Sequence, residues 1–332
     1  MFGASPIKSP QKIALLLIPD FSMMAFTSSV EPLRAANRES GHEHYRWATL
    51  SADGGEVTAS NGVVVRPSGS VHDEFSADVL FVCAGLRASR FEDERTFGRL
   101  RELAHSGMAM GGVCTGPLLL ARAQLLKGYR CTIHWENVSA FLESYPQLNI
   151  TATMYEIDRD RYTCSGGTAP LDMMIYSISL DHGQDLAIRV SEMMLHHVTR
   201  HPHDTQRLSV RYRTGISNPK LLGAIAHMEA YLENPVAIPE IAEASGLSKR
   251  QLERLFREKL GKTPSRYYLE LRLGRARLLL RQTEMPILHV AVASGFRSAS
   301  YFARCYREYF GHAPKEERLA LERTRKENLV SE

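Results

Sequence analysis

The sequence predicts an α/β domain followed by an all-α domain, and three observations carry that reading. In the first half, short apolar runs alternate with amphipathic helical stretches. This is the pattern of a parallel, flavodoxin-like sheet with helices on both faces. From residue 219 onward the periodic stretches are helical, with apolar residues three and four apart. Within that second part the sequence matches itself: residues 238–247 align with 287–296 at an offset of 49, and residues 256–261 with 306–311 at an offset of 50.

The elements of the first half follow in order. Residues 13–18 are continuously apolar, as a strand buried on both faces requires. Residues 26–37 read as a helix, and 47–50 and 63–65 as short strands between Gly-rich turns. Residues 79–83 form another apolar strand, closed by Ala84-Gly85. A helix follows at 97–105. Residues 108–113 form a strand that leads into Cys114, and 117–126 continue as a helix ending near Gly128. A further amphipathic helix covers 183–195. The expected layout is a flexible tail at 1–12, the α/β domain at 13–198, a linker at 199–218 rich in His, Arg, Pro and Ser, the helical domain at 219–322 and a tail at 323–332.

Composition narrows the function classes. The 332 residues are 44% hydrophobic and 23% charged, which disfavours disorder. No apolar run approaches the ~20 residues of a membrane helix, and the run at 13–18 is too short for a secretory leader. Five cysteines without paired spacing argue against a disulfide framework or a structural zinc site and suit the reducing cytoplasm. His196, His197, His201 and His203 cluster, and His197 and His201 have the spacing of a metal pair. No Cys or acidic ligand has matching spacing, so neither metal nor cofactor is expected. Charge is uneven: residues 219–332 hold 20 basic and 14 acidic residues, a net of +6, and residues 1–218 hold 21 and 23, a net of −2. A basic field of that kind suits a polyanion.

Each copy of the repeat has the parts of a helix-turn-helix. Ala242 and Ala291 are small where two helices approach. Gly246 and Gly295 stand where the turn needs a positive φ. Ser248 and Ser298 are N-caps for the following helices. Leu252, Leu255 and Phe256 give one apolar stripe, and Phe302, Cys305 and Tyr306 the other. The opposite faces carry Lys249, Arg250, Glu253 and Arg254 in the first copy, and Ala299, Ser300, Tyr301 and Arg304 in the second, groups able to reach base edges. A helix at 265–282, roughly 27 Å long at ~1.5 Å per residue, would space the two readers by about one DNA turn. The competing reading is a helical-hairpin repeat that binds protein. Residues 219–320 resemble the AraC/XylS family of regulators, carried by Ser245 to Phe256, Ser294 to Tyr306 and Phe310 to Pro314. The resemblance places base-reading positions on Arg250, Glu253, Arg254, Ser300, Tyr301 and Arg304. It departs at Arg297, where an acidic or polar residue is usual.

In the first domain, residues 111–116 set Cys114 on a tight strand-to-helix turn, the logic of a nucleophile elbow. A helix N-terminus there is expected to lower the thiol pKa. Residues 10–195 resemble the class I glutamine amidotransferase-like superfamily in its PfpI/ThiJ branch. The carrying residues are 17–22, 31–33, 111–116, 132–136 and 165–169 with Asp172. In the enzymes a histidine follows the cysteine; here that residue is Thr115, which leaves His134 as the nearby candidate base. The joint architecture resembles the GlxA-like group of AraC-family regulators, which includes activators of arginine, glycine betaine and carnitine catabolism. That resemblance implies a sensor and not an enzyme. The expected ligand residues are Cys114 and Thr115 for a carboxylate, Asp20 or Glu31 for a positive charge, Phe21 or Trp135 for an alkylammonium, and His134. The expected partners are promoter DNA, a small effector, a second copy of the chain and RNA polymerase. The alternative is a cysteine-dependent amidase of the PfpI type fused to a DNA-binding domain.

Overall fold

The computed structural model describes residues 10–202, 204–206 and 210–319. The chain divides into two compact units, Met1–Gln206 and Arg207–Glu332. The tail expected at 323–332 and His203 lie outside the described residues.

The first unit runs β1 (Gln11–Leu17), α1 (Met23–Ser40), β2 (Tyr45–Ser51), three two-residue strands β3 (Val57–Thr58), β4 (Val64–Val65) and β5 (Gly69–Ser70), then β6 (Val79–Ala84), α2 (Glu94–His105), β7 (Ala109–Cys114), α3 (Gly116–Arg122), β8 (Arg130–Thr132), α4 (Val138–Ser144), β9 (Asn149–Thr151), β10 (Tyr155–Asp158), β11 (Arg161–Cys164), α5 (Ala169–His182) and α6 (Gln184–Met193). The main sheet has seven strands in the order β10-β11-β7-β6-β1-β2-β5. All its neighbours are parallel except β10 and β11, an antiparallel pair at one edge. The flavodoxin-like expectation holds, with that hairpin and a small β8–β9 sheet added.

Alternation along the central strands explains the two layers. Ile13, Leu15 and Leu17 of β1, with Val79, Phe81 and Cys83 of β6, face one core, shared with α1, α5 and α6. Ala14, Leu16, Leu80, Val82 and Ala84 face the other, shared with α2, α3 and α4. Gly111 of β7 is required by this packing: a Cβ there would lie 2.1 Å from the Phe81 ring. Helix α1 starts on Ser22, whose Oγ accepts from the Ala25 amide, and stops at Gly41 in the left-handed region.

Part of the stretch expected as a linker, 199–218, is held on the first unit. The Arg200 amide and guanidinium donate to the buried Asp172 carboxylate, and His196 Nε2 lies 2.8 Å from the same carboxylate. The Met154 amide donates to the carbonyls of Pro202 and Asp204. Gln206 Nε2 donates to Thr132 Oγ1 and to the carbonyls of Ile133 and Thr153. The described residues of 196–206 are therefore a strap on the first unit, held by polar contacts invisible in a linear sequence. Of the stretch expected as a tail, 1–12, Gln11 and Lys12 belong to β1 and pair with Tyr45 and Arg46, and residues 1–9 lie outside the described residues.

The second unit is helical: α7 (Val210–Thr214), α8 (Pro219–Ala230), α9 (Ile238–Ala244), α10 (Lys249–Leu260), α11 (Pro264–Gln282), α12 (Ile287–Ala293) and α13 (Ala299–Phe310). Leu221, Ile225, Ile241, Leu252 and Phe256 centre the first half of its core. Val290, Ala291, Phe296, Phe302 and Tyr306 are buried in the second half.

Candidate nucleic-acid interface and strand-end cluster

Two helix-turn-helix pairs, α9–α10 and α12–α13, are joined by α11. Helix α10 starts with a capping box: Ser248 Oγ accepts from the Gln251 amide while Gln251 Oε1 accepts from the Ser248 amide. Helix α13 starts on Ser298, whose Oγ accepts from the Tyr301 amide. With Leu252 and Phe256, or Phe302 and Tyr306, turned inward, the opposite faces reach solvent. Lys249, Arg250, Arg254, Ser300, Tyr301 and Arg304 are exposed, and Glu253 is half-buried. Lys249 and Glu253 lie 4.0 Å apart and Arg254 and Glu258 3.7 Å apart. Exposed pairs of this kind contribute little, so the cations can exchange them for phosphate or base contacts. The Arg304 guanidinium lies 5.3 Å from the Tyr301 ring centre, a cation–π contact that steadies both.

Basic side chains secure both turns. Lys220 Nζ donates to the Gly246 carbonyl at 2.8 Å. Arg272, on α11, donates from Nε to the Ser294 carbonyl at 3.0 Å and from Nη2 to the Gly295 carbonyl at 2.7 Å. Its guanidinium also covers the Phe296 ring at 4.2 Å. Neither Lys220 nor Arg272 was expected from the sequence, because no local pattern marks a side chain that grips a turn from another helix.

In the first unit, the C-terminal ends of β1, β6, β7 and β11 converge. Asp20 has a φ of 61° and pairs with Arg87 at 3.0 Å. Its carbonyl lies so near Gly85 that a Cβ there would stand 2.1 Å away. Thr115 Oγ1 donates to the Gly85 carbonyl at 2.7 Å. Cys114 also has a positive φ, 60°, and a Cβ on Gly166 would meet its Sγ at 2.8 Å. The His134 amide donates to the Cys114 carbonyl at 3.2 Å. Asp20, Cys114, Thr115 and His134 thus stand at neighbouring strand ends, with Arg87, Gly85 and Gly166 as unanticipated members.

Other expectations do not hold. Burial pushes the Cys114 thiol up to about 12, overcoming a hydrogen bond from the Thr115 amide that favours the thiolate. The expected lowering by a helix N-terminus loses to desolvation. Among the described residues no hydrogen bond joins the His134 imidazole to that thiol. Burial pulls His134 below the ordinary value against an opposing effect from Glu136, so the ring is neutral at pH 7. Glu31 is not brought to the cluster by any contact; it pairs with Arg34 on the same helix at 2.6 Å. Phe21 is fully buried and packs edge-on against Phe26, so its ring face is spent in the core. Trp135 is 38% exposed and lies beside His134. Of the histidines, His196 is committed to Asp172, while His197 and His201 are exposed. No helix among the described residues is long and apolar enough to cross a membrane.

Comparison with known proteins identifies both units. Residues 11–179 match the DJ-1/PfpI family, and residues 241–320 match a helix-turn-helix domain family. The HTH-type transcriptional regulator CdhR of Pseudomonas aeruginosa is 47% identical over 94% of this chain and 92% of its own. The HTH-type transcriptional regulator GbdR of the same species is 45% identical over 94% of this chain and 85% of its own. The crystal structure of an AraC family transcriptional regulator from Pseudomonas putida is 30% identical, covers 56% of this chain and 100% of its own, and superposes with a TM-score of 0.52.

Proposed function

The chain belongs to the AraC-type helix-turn-helix transcription regulators that carry a DJ-1/PfpI domain, and from that premise we propose that its first unit senses a small metabolite while its second reads an operator. The protein is a sequence-specific DNA-binding regulator. In our reading it is an activator that works in the cytoplasm as a homodimer, contacts RNA polymerase, and responds to a nitrogenous effector of the amino-acid or quaternary-amine class. Lys249, Arg250, Glu253, Arg254, Ser300, Tyr301 and Arg304 are the DNA-reading set. Asp20, Cys114, Thr115, His134 and Trp135 form the ligand-responsive strand ends.

The observation that carries the reading is the doubled motif, with two capped helices turning basic faces outward over apolar seams. We read the first unit as a sensor without catalysis. A thiol that burial holds far above its ordinary value stays protonated at pH 7, which disfavours it as a nucleophile. Mobility shifts of the full chain on its own promoter test the DNA reading, and binding no tighter than to random DNA refutes it. A glutaminase assay tests the sensor reading, and turnover that disappears in Cys114→Ala restores the enzyme.

A further inference from the structure

The two helix-turn-helix motifs are not alike in charge. Residues 238–257, in the first, include Glu240, Glu243 and Glu253. Their counterparts 287–307, in the second, contain no Asp or Glu, while Arg297, Arg304 and Arg307 lie among them. A polyanion laid on the second motif meets cations with no carboxylate of the same segment to compete for them.

Arg297 is the residue by which the two turns differ in length. Leu247 directly precedes the cap Ser248, whereas Arg297 stands between Phe296 and the cap Ser298. Its neighbours are pinned. Phe296 is buried, with the Arg272 guanidinium over its ring. Ser298 Oγ accepts from the Tyr301 amide. Arg272 also holds the Ser294 and Gly295 carbonyls, which removes the nearest acceptors of the turn. Arg297 itself is exposed, and its guanidinium has no hydrogen-bond or ion-pair partner among the described residues. Arg254, by contrast, is set against Glu258, and Arg304 against the Tyr301 ring. A guanidinium on a pinned backbone, uncommitted within the protein, suits a charged acceptor from outside it.

We propose that Arg297 binds a backbone phosphate of the operator beside the groove that α13 enters, so that the extra residue of the second turn is an anchor and not a reader. The proposal rests on the reading of α13 as a recognition helix. Ser300, Tyr301 and Arg304 occupy the first two turns of α13, the part of such a helix that meets base edges. Arg297 precedes the cap and so lies outside the helix, at the end that faces the sugar-phosphate wall of the groove. An anchor of this kind adds affinity without sequence information, and it releases counterions when it neutralises its phosphate.

Fluorescence anisotropy of the full chain on its native promoter and on random DNA, from about 50 to about 300 mM salt, tests the proposal. Arg297→Ala is expected to weaken both DNAs by the same factor, roughly five- to tenfold. It should also lower the slope of log affinity against log salt by about 0.9. Arg297→Lys is expected to keep the slope, because the charge remains. Arg307→Ala removes the same charge about 15 Å further along the helix axis, beyond a Debye length, and is expected to leave the slope nearly unchanged. Unchanged affinity and slope in Arg297→Ala overturn the proposal. So does a loss confined to the native promoter with the slope intact, which makes Arg297 a base reader. An equal fall of slope in Arg307→Ala overturns it too, in favour of the general field of the helix. If Arg297→Ala has no effect while Arg254→Ala and Arg304→Ala still weaken promoter binding, the anchor fails and the recognition helices stand. Unchanged binding in all three variants removes the recognition-helix reading itself.

Discussion

Gly295 lies directly against the main chain of Leu232: a Cβ on the glycine would stand 2.5 Å from the Leu232 carbonyl oxygen and 2.8 Å from Pro235 Cδ. The turn of the second helix-turn-helix is thus wedged on the loop between α8 and α9, which leads into the first. Gly246, at the same place in the first motif, meets only the end of the flexible Lys220 side chain, at 3.8 Å. Both glycines have a positive φ, 63° and 76°. Gly246→Ala is therefore expected to cost about 1–2 kcal/mol, the left-handed penalty alone. Gly295→Ala adds a backbone clash and is expected to cost more than about 3 kcal/mol. Scanning calorimetry of the full chain measures both, and equal losses would refute the wedge.

Arg254→Ala and Arg304→Ala are each expected to weaken specific binding by roughly 1–3 kcal/mol, as loss of a good base contact does. Removing Arg304 also frees Tyr301, so Tyr301→Ala and Arg304→Ala should be less than additive. Anisotropy titrations on the native promoter and on operators with single base changes decide this. Unchanged affinity in both arginine variants removes α10 and α13 from the interface.

Arg272 touches no base in this reading and acts through Ser294 and Gly295. Arg272→Lys keeps the charge but loses the two-carbonyl grip. The expected result is a selective loss of discrimination at the subsite read by α13, with discrimination at the α10 subsite retained. Loss of discrimination at both subsites would show general destabilisation instead.

Cys114 is expected to alkylate slowly. With its thiol held near 12, the rate of modification by iodoacetamide should rise about tenfold per pH unit between pH 7 and 10 and show no plateau below pH 10. Cys114→Ser should keep promoter binding and shift the ligand response by no more than a few-fold. A plateau near pH 8 would mean that an exposed, ionisable thiol is present after all.

The rings of His44 and His182 lie against each other, tilted by 32°, with centres 3.9 Å apart. Burial lowers both below the ordinary 6.5; His182 adds to the effect on His44, and Asp181 opposes it on His182. Groups with depressed folded values support stability above the unfolded value and lose that support as pH falls through the folded value. The first unit should therefore weaken on acidification below about pH 6.5. Both tryptophans, Trp47 and Trp135, lie in that unit, so melts followed by tryptophan fluorescence isolate it. His182→Gln should flatten the profile; an unaltered profile refutes the assignment.

Legibility in the sequence tracked how local each cause was. Alternation in β1 and β6, the two turn glycines and the serine caps are set by neighbours in the chain, and they could be read directly. Helix α5 could not, because it is apolar on nearly every side and shows no 3.6-residue contrast. The antiparallel β10–β11 edge carries Arg161 and Thr163 as buried residues and so lacks an apolar run. The strand-end logic placed Asp20, Cys114 and Thr115 at neighbouring strand ends, where they stand, since connectivity alone places strand ends. It did not foresee that Glu31 pairs with Arg34 on its own helix, because a helix face is fixed by packing, nor the raised thiol pKa, because burial outweighed the helix terminus. The strap on Asp172 depends on residues 24 and 28 positions apart and left no local trace.

The contact between Phe81 and Gly111 constrains how this protein can change over generations. With a Phe81 ring carbon 2.1 Å from where a Cβ would stand, any side chain at 111 is intolerable until position 81 has shrunk. Shrinking position 81 first opens a cavity in the core beneath the strand ends, at a cost of several kcal/mol, about 3–5 for a phenylalanine truncated to alanine. Both orders pass through a damaged intermediate. The pair should therefore persist among descendants as one inherited unit, even where the strand-end residues above it diverge to suit new ligands.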